Sequence, residues 1–315
     1  MNIKILDAST LGEGVDLKQF ESFGKVEIFD TSAPDEVCER IRDAEVLILN
    51  KVKITEEVLA SAETLKLICV AATGYDNIDI AACKARGIAV CNVAGYSTHS
   101  VAQVTFSLVL ALSIHLKEYN RFVTDGSYTE SGVANRLEPV YHELCGKTWG
   151  IVGLGNIGKQ VARVAEALGC KVLANKRTPE AGYNCVDLDT LLSNADVITV
   201  HTPLTDATHG LIGEAELAKM KPEAILVNAA RGAVLDEAAV AKALQEGRLG
   251  AFGCDVYSTE PFGKDHPFYA IKALDNVALT PHMAWGALEA RQRCLAEIHK
   301  NITAFLNGEA RSRIV

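Results

Sequence analysis

The sequence predicts an α/β protein built from two doubly wound parallel-sheet domains. Strand-like and helix-like runs alternate over residues 1–98, and a second alternation starts at Lys147. A glycine-rich turn, Gly153-Leu154-Gly155-Asn156-Ile157-Gly158, opens that second series between a strand pattern and a helix pattern. Alternation of this kind means a parallel sheet with crossover helices. At 315 residues the chain exceeds the usual size of one hydrophobic core, which favours two domains.

In the first series the strand-like runs are Ile3–Asp7, Lys25–Phe29, Val46–Leu49, Leu67–Ala71 and Ile88–Cys91, with helix patterns at Pro34–Arg42, Thr55–Ser61 and Ile78–Arg86. A helix then begins near Ser97, where a hydroxyl of Ser97, Thr98 or Ser100 supplies the N-cap, and runs to Leu116. Its apolar residues, Val101, Val104, Phe106, Leu108, Val109, Leu110, Leu112 and Ile114, cover most of the circumference, so burial on nearly all sides is expected. The stretch Lys117–Leu144 has little periodicity and contains Gly126, Gly132 and Pro139. So long a loop is uncommon in a compact domain. Its Tyr and Phe content favours an arm packed on a second subunit over a linker.

The second series places strands at Thr148–Val152, Lys171–Ala174, Val197–Val200, Ala224–Val227, Ala251–Asp255 and Asn276–Thr280, with the clearest helices at Ile157–Leu168 and Glu237–Gln245. The tail, Ala287–Leu306, is one amphipathic helix stopped by Asn307-Gly308, and it must pack on structure already built.

Composition excludes several classes of function. Lys and Arg total 31 against 40 Asp and Glu, a net charge of −9, which argues against a nucleic-acid partner and requires any anion site to be locally basic. No apolar stretch suffices to span a bilayer, and the opening M-N-I-K-I-L-D runs straight into a strand without a signal-peptide layout. Nine scattered cysteines, with no C-x-x-C, are expected to be reduced, buried thiols of a cytoplasmic protein. The eight histidines show no metal spacing, and Glu143 and Cys145 near His142 are incidental, so no metal is expected.

The glycine turn matches G-x-G-x-x-G. Its place between Thr148–Val152 and the helix faced by Ile157, Val161, Val164, Ala165 and Leu168 makes it a dinucleotide site rather than a mere packing turn. Gly153, Gly155, Asn156, Ile157 and Gly158 would bring a pyrophosphate onto the helix N-terminus, where unpaired N–H groups and the helix dipole favour negative charge. The next strand ends in Asn175-Lys176-Arg177, with no acid to bind a ribose 2′-hydroxyl. Lys176 and Arg177 would instead neutralise a 2′-phosphate, so acceptance of NADP(H) is expected beside NAD(H). The alternative is that both cations are solvated and NADH is used without the acid.

Three polar residues, Arg231, Glu260 and His282, each follow a β-type run (Ile225–Val227, Gly253–Val256 and Val277–Leu279) in N-A-A-R-G, S-T-E-P and T-P-H. Ligands of parallel sheets bind at the carboxyl ends of strands. A guanidinium, a carboxylate and an imidazole gathered there can hold an anionic substrate and move a proton. Singly each would be a surface charge or a turn residue; in this order, after a dinucleotide turn, they form a candidate active site.

With these motifs in place, the chain resembles the D-isomer-specific 2-hydroxyacid dehydrogenase family over essentially its whole length. The carriers are the Gly153–Gly158 turn, His201-Thr202-Pro203-Leu204-Thr205, Lys221-Pro222, Asn228-Ala229-Ala230-Arg231-Gly232, Asp255-Val256-Tyr257-Ser258-Thr259-Glu260-Pro261, Thr280-Pro281-His282, and Ala71-Ala72-Thr73-Gly74-Tyr75-Asp76-Asn77-Ile78-Asp79. Asn50-Lys51, Gly95-Tyr96-Ser97-Thr98 and His282-Met283-Ala284-Trp285 look most like glycerate dehydrogenases, also called hydroxypyruvate reductases.

The resemblance implies a flavodoxin-like substrate domain (1–98 plus 285–315), a Rossmann coenzyme domain (99–284), a cleft between them, and a homodimer formed through the coenzyme domain. It implies NAD(P)H-dependent reduction of a small 2-oxo acid, hydroxypyruvate or glyoxylate, to the D-2-hydroxy acid. Arg231 would clamp the carboxylate, His282 would exchange the proton and Glu260 would support the imidazolium. His201, Pro203, Ala229 and Asp255 would join Arg231 and His282 along the cofactor, with Asp255 at the nicotinamide amide or, alternatively, serving as a strand-end cap. Thr73, Gly74 and Tyr75 would share the substrate carboxylate, with Lys51 and Trp285 as further pocket residues. A D-3-phosphoglycerate dehydrogenase, a broader 2-oxo-acid reductase and, remotely, a dinucleotide-sensing corepressor are the competing functions. The chain has neither the basic nor the disordered tail a corepressor would carry.

Overall fold

Both series of alternating strands and helices fold as parallel sheets. The computed structural model describes residues 1–315, and these divide into two units, Met1–Ser97 with Trp285–Val315 and Thr98–Ala284. In the first unit, β1 (Asn2–Ile5), β2 (Lys25–Ile28), β3 (Val46–Leu49), β4 (Leu67–Val70) and β5 (Ala89–Cys91) form a parallel sheet in the order β2-β1-β3-β4-β5. Every residue of β3 and β4 is buried, which is why both are unbroken apolar runs rather than alternating ones. The intervening helices are α1 (Pro34–Ile41), α2 (Glu56–Leu59) and α3 (Ile80–Ala85). Thr55 and Asp79 cap α2 and α3 by accepting the Val58 and Ala82 N–H groups.

The second unit opens with three helices, α4 (Thr98–Ser113), α5 (Leu116–Thr124) and α6 (Ser127–Ser131). There follow β6 (Thr148–Val152), α7 (Asn156–Ala167), β7 (Lys171–Asn175), α8 (Leu188–Asn194), β8 (Val197–Val200), α9 (Glu214–Leu217), β9 (Ile225–Asn228), α10 (Glu237–Gln245), β10 (Ala251–Cys254), α11 (Pro267–Ile271) and β11 (Val277–Leu279). The sheet is parallel throughout, ordered β11-β10-β9-β8-β6-β7. Cys185 adds a single parallel bridge to Ala174 outside β7. With that bridge the order is the doubly wound one, and the winding reverses between β6 and β8, where carboxyl strand ends open for a ligand.

The chain then returns to the first unit. There α12 (Leu288–Leu306) packs on β4 and buries Ala290, Cys294, Leu295, Ile298 and Ile302. Past Asn307 and Gly308, Arg313 makes an antiparallel bridge to Cys91 at the sheet edge, a pairing too short to register as a strand pattern.

Three expectations need correction. The helix α4 is not buried all round: it packs on α7 and on β9–β11, but His99, Gln103, Ser107 and Leu110 form an exposed stripe that Ile114 continues just past its end. It also ends earlier, because His115 adopts a left-handed φ of 50° and the chain bends by 65° into α5. The stretch 117–144 is not one long loop. Helices α5 and α6 occupy most of its first half, and Arg121 holds α5 in place through two 2.7 Å bonds to the Asp275 carboxylate. Nor are all the cysteines buried: Cys145 is exposed and Cys38 and Cys185 are half-buried, although none of the nine is in a disulfide. No single helix is long and apolar enough to cross a membrane.

Candidate active site

Three adjacent strands, β9, β10 and β11, deliver the three polar residues. Their last residues are in register, Cys254 lying opposite both Asn228 and Leu279, so the segments that follow leave the same edge of the sheet side by side. After β9, the buried Asn228 braces the turn from both sides. Its Oδ1 accepts the Ala230 N–H at 3.0 Å and its Nδ2 donates to the Arg231 carbonyl at 2.9 Å. Arg231 sits at the head of a 3-10 turn, Gly232–Val234, with an extended backbone and Nη1 donating to the Ala230 carbonyl at 2.8 Å.

After β11, His282 adopts a left-handed conformation with φ of 51°. An imidazole held there needs support from its surroundings, and Asp255, at the end of β10, supplies it. This carboxylate is 1% exposed; it accepts the Thr280 hydroxyl at 2.6 Å and the Met283 and Ala284 N–H groups at 2.9 Å each. Burial pushes its carboxyl above the usual carboxylate range, and those hydrogen bonds oppose the rise. Asp255 therefore braces the turn that carries His282.

Glu260 then meets the ring. Its Oε2 lies 2.6 Å from His282 Nδ1, and its Oε1 accepts the Tyr257 N–H at 3.0 Å. A carboxylate on Nδ1 fixes the plane of the ring. The arrangement can hold and deliver one proton, with a guanidinium on the neighbouring strand end.

The glycine turn lies on the same edge of the same sheet, after β6. Gly153 has φ of +100°, and a Cβ there would fall 2.6 Å from the Thr202 nitrogen and 2.7 Å from the His201 carbonyl carbon. Only glycine allows so close an approach of the β6 and β8 ends. Gly155, the N-cap of α7, differs: a Cβ there would meet nothing within 4 Å. The start of a helix also leaves N–H groups without an intrahelical partner, as a pyrophosphate requires. Beside the turn, both ring nitrogens of His201 are buried without a hydrogen-bond partner, and burial pushes the imidazole down to about 3. Buried unpaired polar atoms at a strand switch point fit a site that a polar ligand completes. Of the other candidates along this edge, Ala229 is buried, Ile157 is half-buried, and Asn156 and Pro203 are exposed.

Lys176 and Arg177 follow β7, whose last residue, Asn175, accepts the Gly153 N–H through its carbonyl at 3.0 Å. Lys176 is paired with Glu180, which also pairs with Lys159 of α7. These two lysines hold the Glu180 carboxyl below the usual range. The sequence pattern missed Glu180, because an acid five residues beyond the strand lies outside the position where a ribose-binding acid is sought. Arg177 is exposed.

In the first unit, the buried Asp7 accepts the N–H groups of Asn50, Lys51 and Val52 at 2.6 to 3.1 Å and so shapes the turn that presents the exposed Lys51. Thr73 donates its hydroxyl to the Val93 carbonyl at 3.1 Å. Neither Gly74 nor Tyr75 uses its N–H in a backbone hydrogen bond. Trp285 is half-buried against the first unit's core, edge-on to Tyr96 at 6.5 Å between ring centroids.

Known proteins resemble this chain over most of its length. The family model for the NAD-binding domain of D-isomer specific 2-hydroxyacid dehydrogenases matches residues 106–284. The glycerate dehydrogenase of Methylorubrum extorquens is 41% identical over 279 residues, 89% of this chain and 88% of its own length. The glyoxylate reductase of Thermococcus litoralis is 40% identical over 310 residues, 95% and 92% of the two chains. Among solved structures, an acyclic imino acid reductase (Bsp5) in complex with NADPH and D-Arg superposes with a TM-score of 0.89 at 29% identity, covering 100% of both chains. The D-lactate dehydrogenase of Aquifex aeolicus, complexed with NAD and lactic acid, gives 0.86 at 30% identity, covering 98% of this chain and 96% of that one. With a parallel-sheet unit built for a nicotinamide dinucleotide and a full-length match to these relatives, the chain belongs to the D-isomer-specific 2-hydroxyacid dehydrogenase family.

Proposed function

We propose that this protein reduces hydroxypyruvate, with glyoxylate as a second substrate, to the corresponding 2-hydroxy acid, D-glycerate in the first case. The carrying observation is the 2.6 Å contact between His282 Nδ1 and Glu260 Oε2 at the sheet edge that also bears the glycine turn and Arg231. Glyoxylate reductase and glycerate dehydrogenase relatives at 40% and 41% identity support the choice of a small acid.

The bound dinucleotide supplies the hydride. Arg231 binds the carboxylate of the 2-oxo acid through a two-pronged hydrogen bond, and its charge polarises the adjacent carbonyl. As the carbonyl carbon gains the hydride, His282 gives the proton on Nε2 to the developing alkoxide, and Glu260 stabilises the imidazolium that performs this step. In the oxidative direction His282 takes the hydroxyl proton back. Asp255 keeps the His282 turn in register. The N–H groups of Gly74 and Tyr75, with Thr73, serve the carboxylate, and Lys51 and Trp285 select what the acid carries beyond it.

The cofactor proposal is NADP(H) as well as NAD(H). It is supported by the absence of an acid at Asn175 and by the cations that follow. Because Lys176 is shared with Glu180, Arg177 is the cation first available to a 2′-phosphate. We further propose a homodimer formed through the second unit. Support comes from a run of exposed apolar residues there, including Leu110, Ile114, Leu116, Val123, Leu137 and Val140, the last two 72% and 67% exposed.

A matrix of initial rates tests the function: hydroxypyruvate, glyoxylate, pyruvate and phenylpyruvate, each with NADH and with NADPH. Hydroxypyruvate is expected to be best or joint best, and inactivity with all four overturns the assignment. A clear preference for NADH overturns the cofactor proposal alone.

A further inference from the structure

The segment that carries Glu260 leaves β10 without regular structure, yet it must present a carboxylate to one ring nitrogen of His282. Two observations show what holds it. The first is Gly232, next to Arg231, where a Cβ would fall 2.0 Å from the Tyr257 carbonyl carbon and 2.1 Å from the Ser258 nitrogen. The loop backbone is therefore laid directly on the Arg231 turn.

The second is Glu237, the first residue of α10, which is buried with only 8% exposed. Its Oε1 accepts the Ser258 N–H at 2.9 Å, and its Oε2 accepts the Ser258 hydroxyl and lies 2.9 Å from His266 Nε2. The His266 ring is fixed as well. Its Nδ1 accepts the Phe268 N–H at 3.2 Å, so the ring proton sits on Nε2 and is donated to Glu237. The ring stacks on Phe262 at 4.9 Å and lies edge-on to Phe268 at 5.2 Å and Tyr257 at 6.2 Å. From Ser258 the constraint runs through Tyr257, whose N–H holds Glu260 Oε1 and whose hydroxyl donates to the Thr280 carbonyl at 2.8 Å, two residues before His282.

We propose that Glu237 is a positioning residue for proton transfer: by clamping Ser258 against a fixed His266, it sets the loop so that Glu260 engages His282 Nδ1. Glu237 touches neither substrate nor reacting atoms. The titratable groups along this path are His266 at Glu237, Tyr257 and Glu260 on the loop, and Asp255 beside His282. The inference rests on the proton-transfer role proposed for His282, and the test separates the two.

Glu237→Gln, Glu260→Gln and the double variant are compared by the pH dependence of kcat/KM for 2-oxo-acid reduction and by NMR titration of the His282 ring in the cofactor-free protein. Reduction needs the imidazolium, so activity falls as pH rises through its titration. Loss of support from Glu260 moves that fall to lower pH. Glu260→Gln and Glu237→Gln should both shift the fall and the NMR midpoint downward. At pH 8 kcat/KM should drop severalfold in both variants, with the KM for cofactor unchanged. In the Glu260→Gln background, Glu237→Gln should add no further shift.

If Glu260→Gln itself leaves the profile unchanged, Glu260 does not act on the ring and this inference is overturned, whereas the proton-transfer role of His282 fails only if His282→Ala keeps the parent's kcat. If Glu260→Gln shifts the profile and Glu237→Gln does not, the inference alone is overturned. It is also overturned if the Glu237→Gln shift persists in the Glu260→Gln background, since Glu237 would then act by its own field. Should Glu237→Gln not fold, Ser258→Ala removes one of the clamp's donors and should give a smaller shift of the same sign; no shift overturns the inference.

Discussion

Replacing Gly155 by alanine separates cofactor binding from folding within one turn. Gly155 has φ of −90° and ψ of −161°, extended backbone open to any residue, and an added Cβ meets nothing within 4 Å. Alanine as an N-cap costs roughly 0.5–1 kcal/mol relative to better caps, and the stiffer unfolded chain returns about 0.4–1 kcal/mol. Stability should therefore stay within about 0.5 kcal/mol of the parent. The methyl group instead fills the space before the N-terminus of α7, where a phosphate oxygen would approach. Loss of one hydrogen bond to a charged group there costs about 1.5–3 kcal/mol, which corresponds to a Kd for NADH raised roughly 10- to 150-fold. Gly153→Ala is the contrast. With φ of +100° and a Cβ 2.6 Å from the Thr202 nitrogen, it strains the fold, and a loss of at least about 2 kcal/mol is expected. Fluorescence titration with NADH and urea unfolding measure the two quantities. The reasoning is refuted if Gly155→Ala binds NADH like the parent, or if it loses as much stability as Gly153→Ala.

Two further predictions concern His201 and Glu180. Burial pushes His201 down to about 3, whereas in the unfolded chain a histidine titrates near about 6.5. Between those values the unfolded state binds the extra proton, so stability is lost as pH falls through this window, at up to about 1.4 kcal/mol per pH unit. Relative to His201→Gln, the parent should lose up to about 2 kcal/mol more in urea unfolding between pH 6.5 and pH 5, and parallel pH dependences would contradict the burial argument. Glu180 pairs with Lys159 and Lys176. Glu180→Gln, which leaves both lysines to a 2′-phosphate, should raise kcat/KM for NADPH about two- to fivefold with NADH little changed; an equal change for both cofactors would detach Glu180 from the 2′ position.

Much of this architecture was legible because its strands obey one rule. Buried parallel strands such as Val46–Leu49, an unbroken apolar run, and Val197–Val200, apolar but for the buried Thr199, have bounds that coincide in the sequence and in the structure. The glycine turn was legible for a related reason, since steric exclusion at Gly153 leaves no other residue type. Helix α5 was hidden because none of its residues is buried and its apolar period, Leu116, Tyr119, Phe122 and Val123, spans only nine residues; polar contacts such as Arg121 with Asp275 help to hold it. The stripe on α4 was obscured because its exposed member Leu110, and Ile114 just past the helix end, are themselves apolar. In the site, strand ends pointed to Arg231, Glu260 and His282, but the acids behind them did not stand out. Glu237 looked like an ordinary first-turn acid of a helix, and its partners Ser258 and His266 lie 21 and 29 residues away. Asp255 was legible as a position, but its hydrogen bonds to Thr280, Met283 and Ala284 required the fold.

The central claim is a division of labour in which Arg231 binds the acid and His282 moves the proton. Steady-state reduction of hydroxypyruvate by His282→Ala and Arg231→Ala, followed through NADH absorbance, tests it most directly. His282→Ala should lower kcat by about 10²- to 10⁴-fold with a small change in the KM for hydroxypyruvate. Arg231→Ala should lower kcat and also raise that KM, because it binds ground state and transition state alike. A His282→Ala enzyme with the parent's kcat, or an Arg231→Ala enzyme with the parent's KM, would contradict the account.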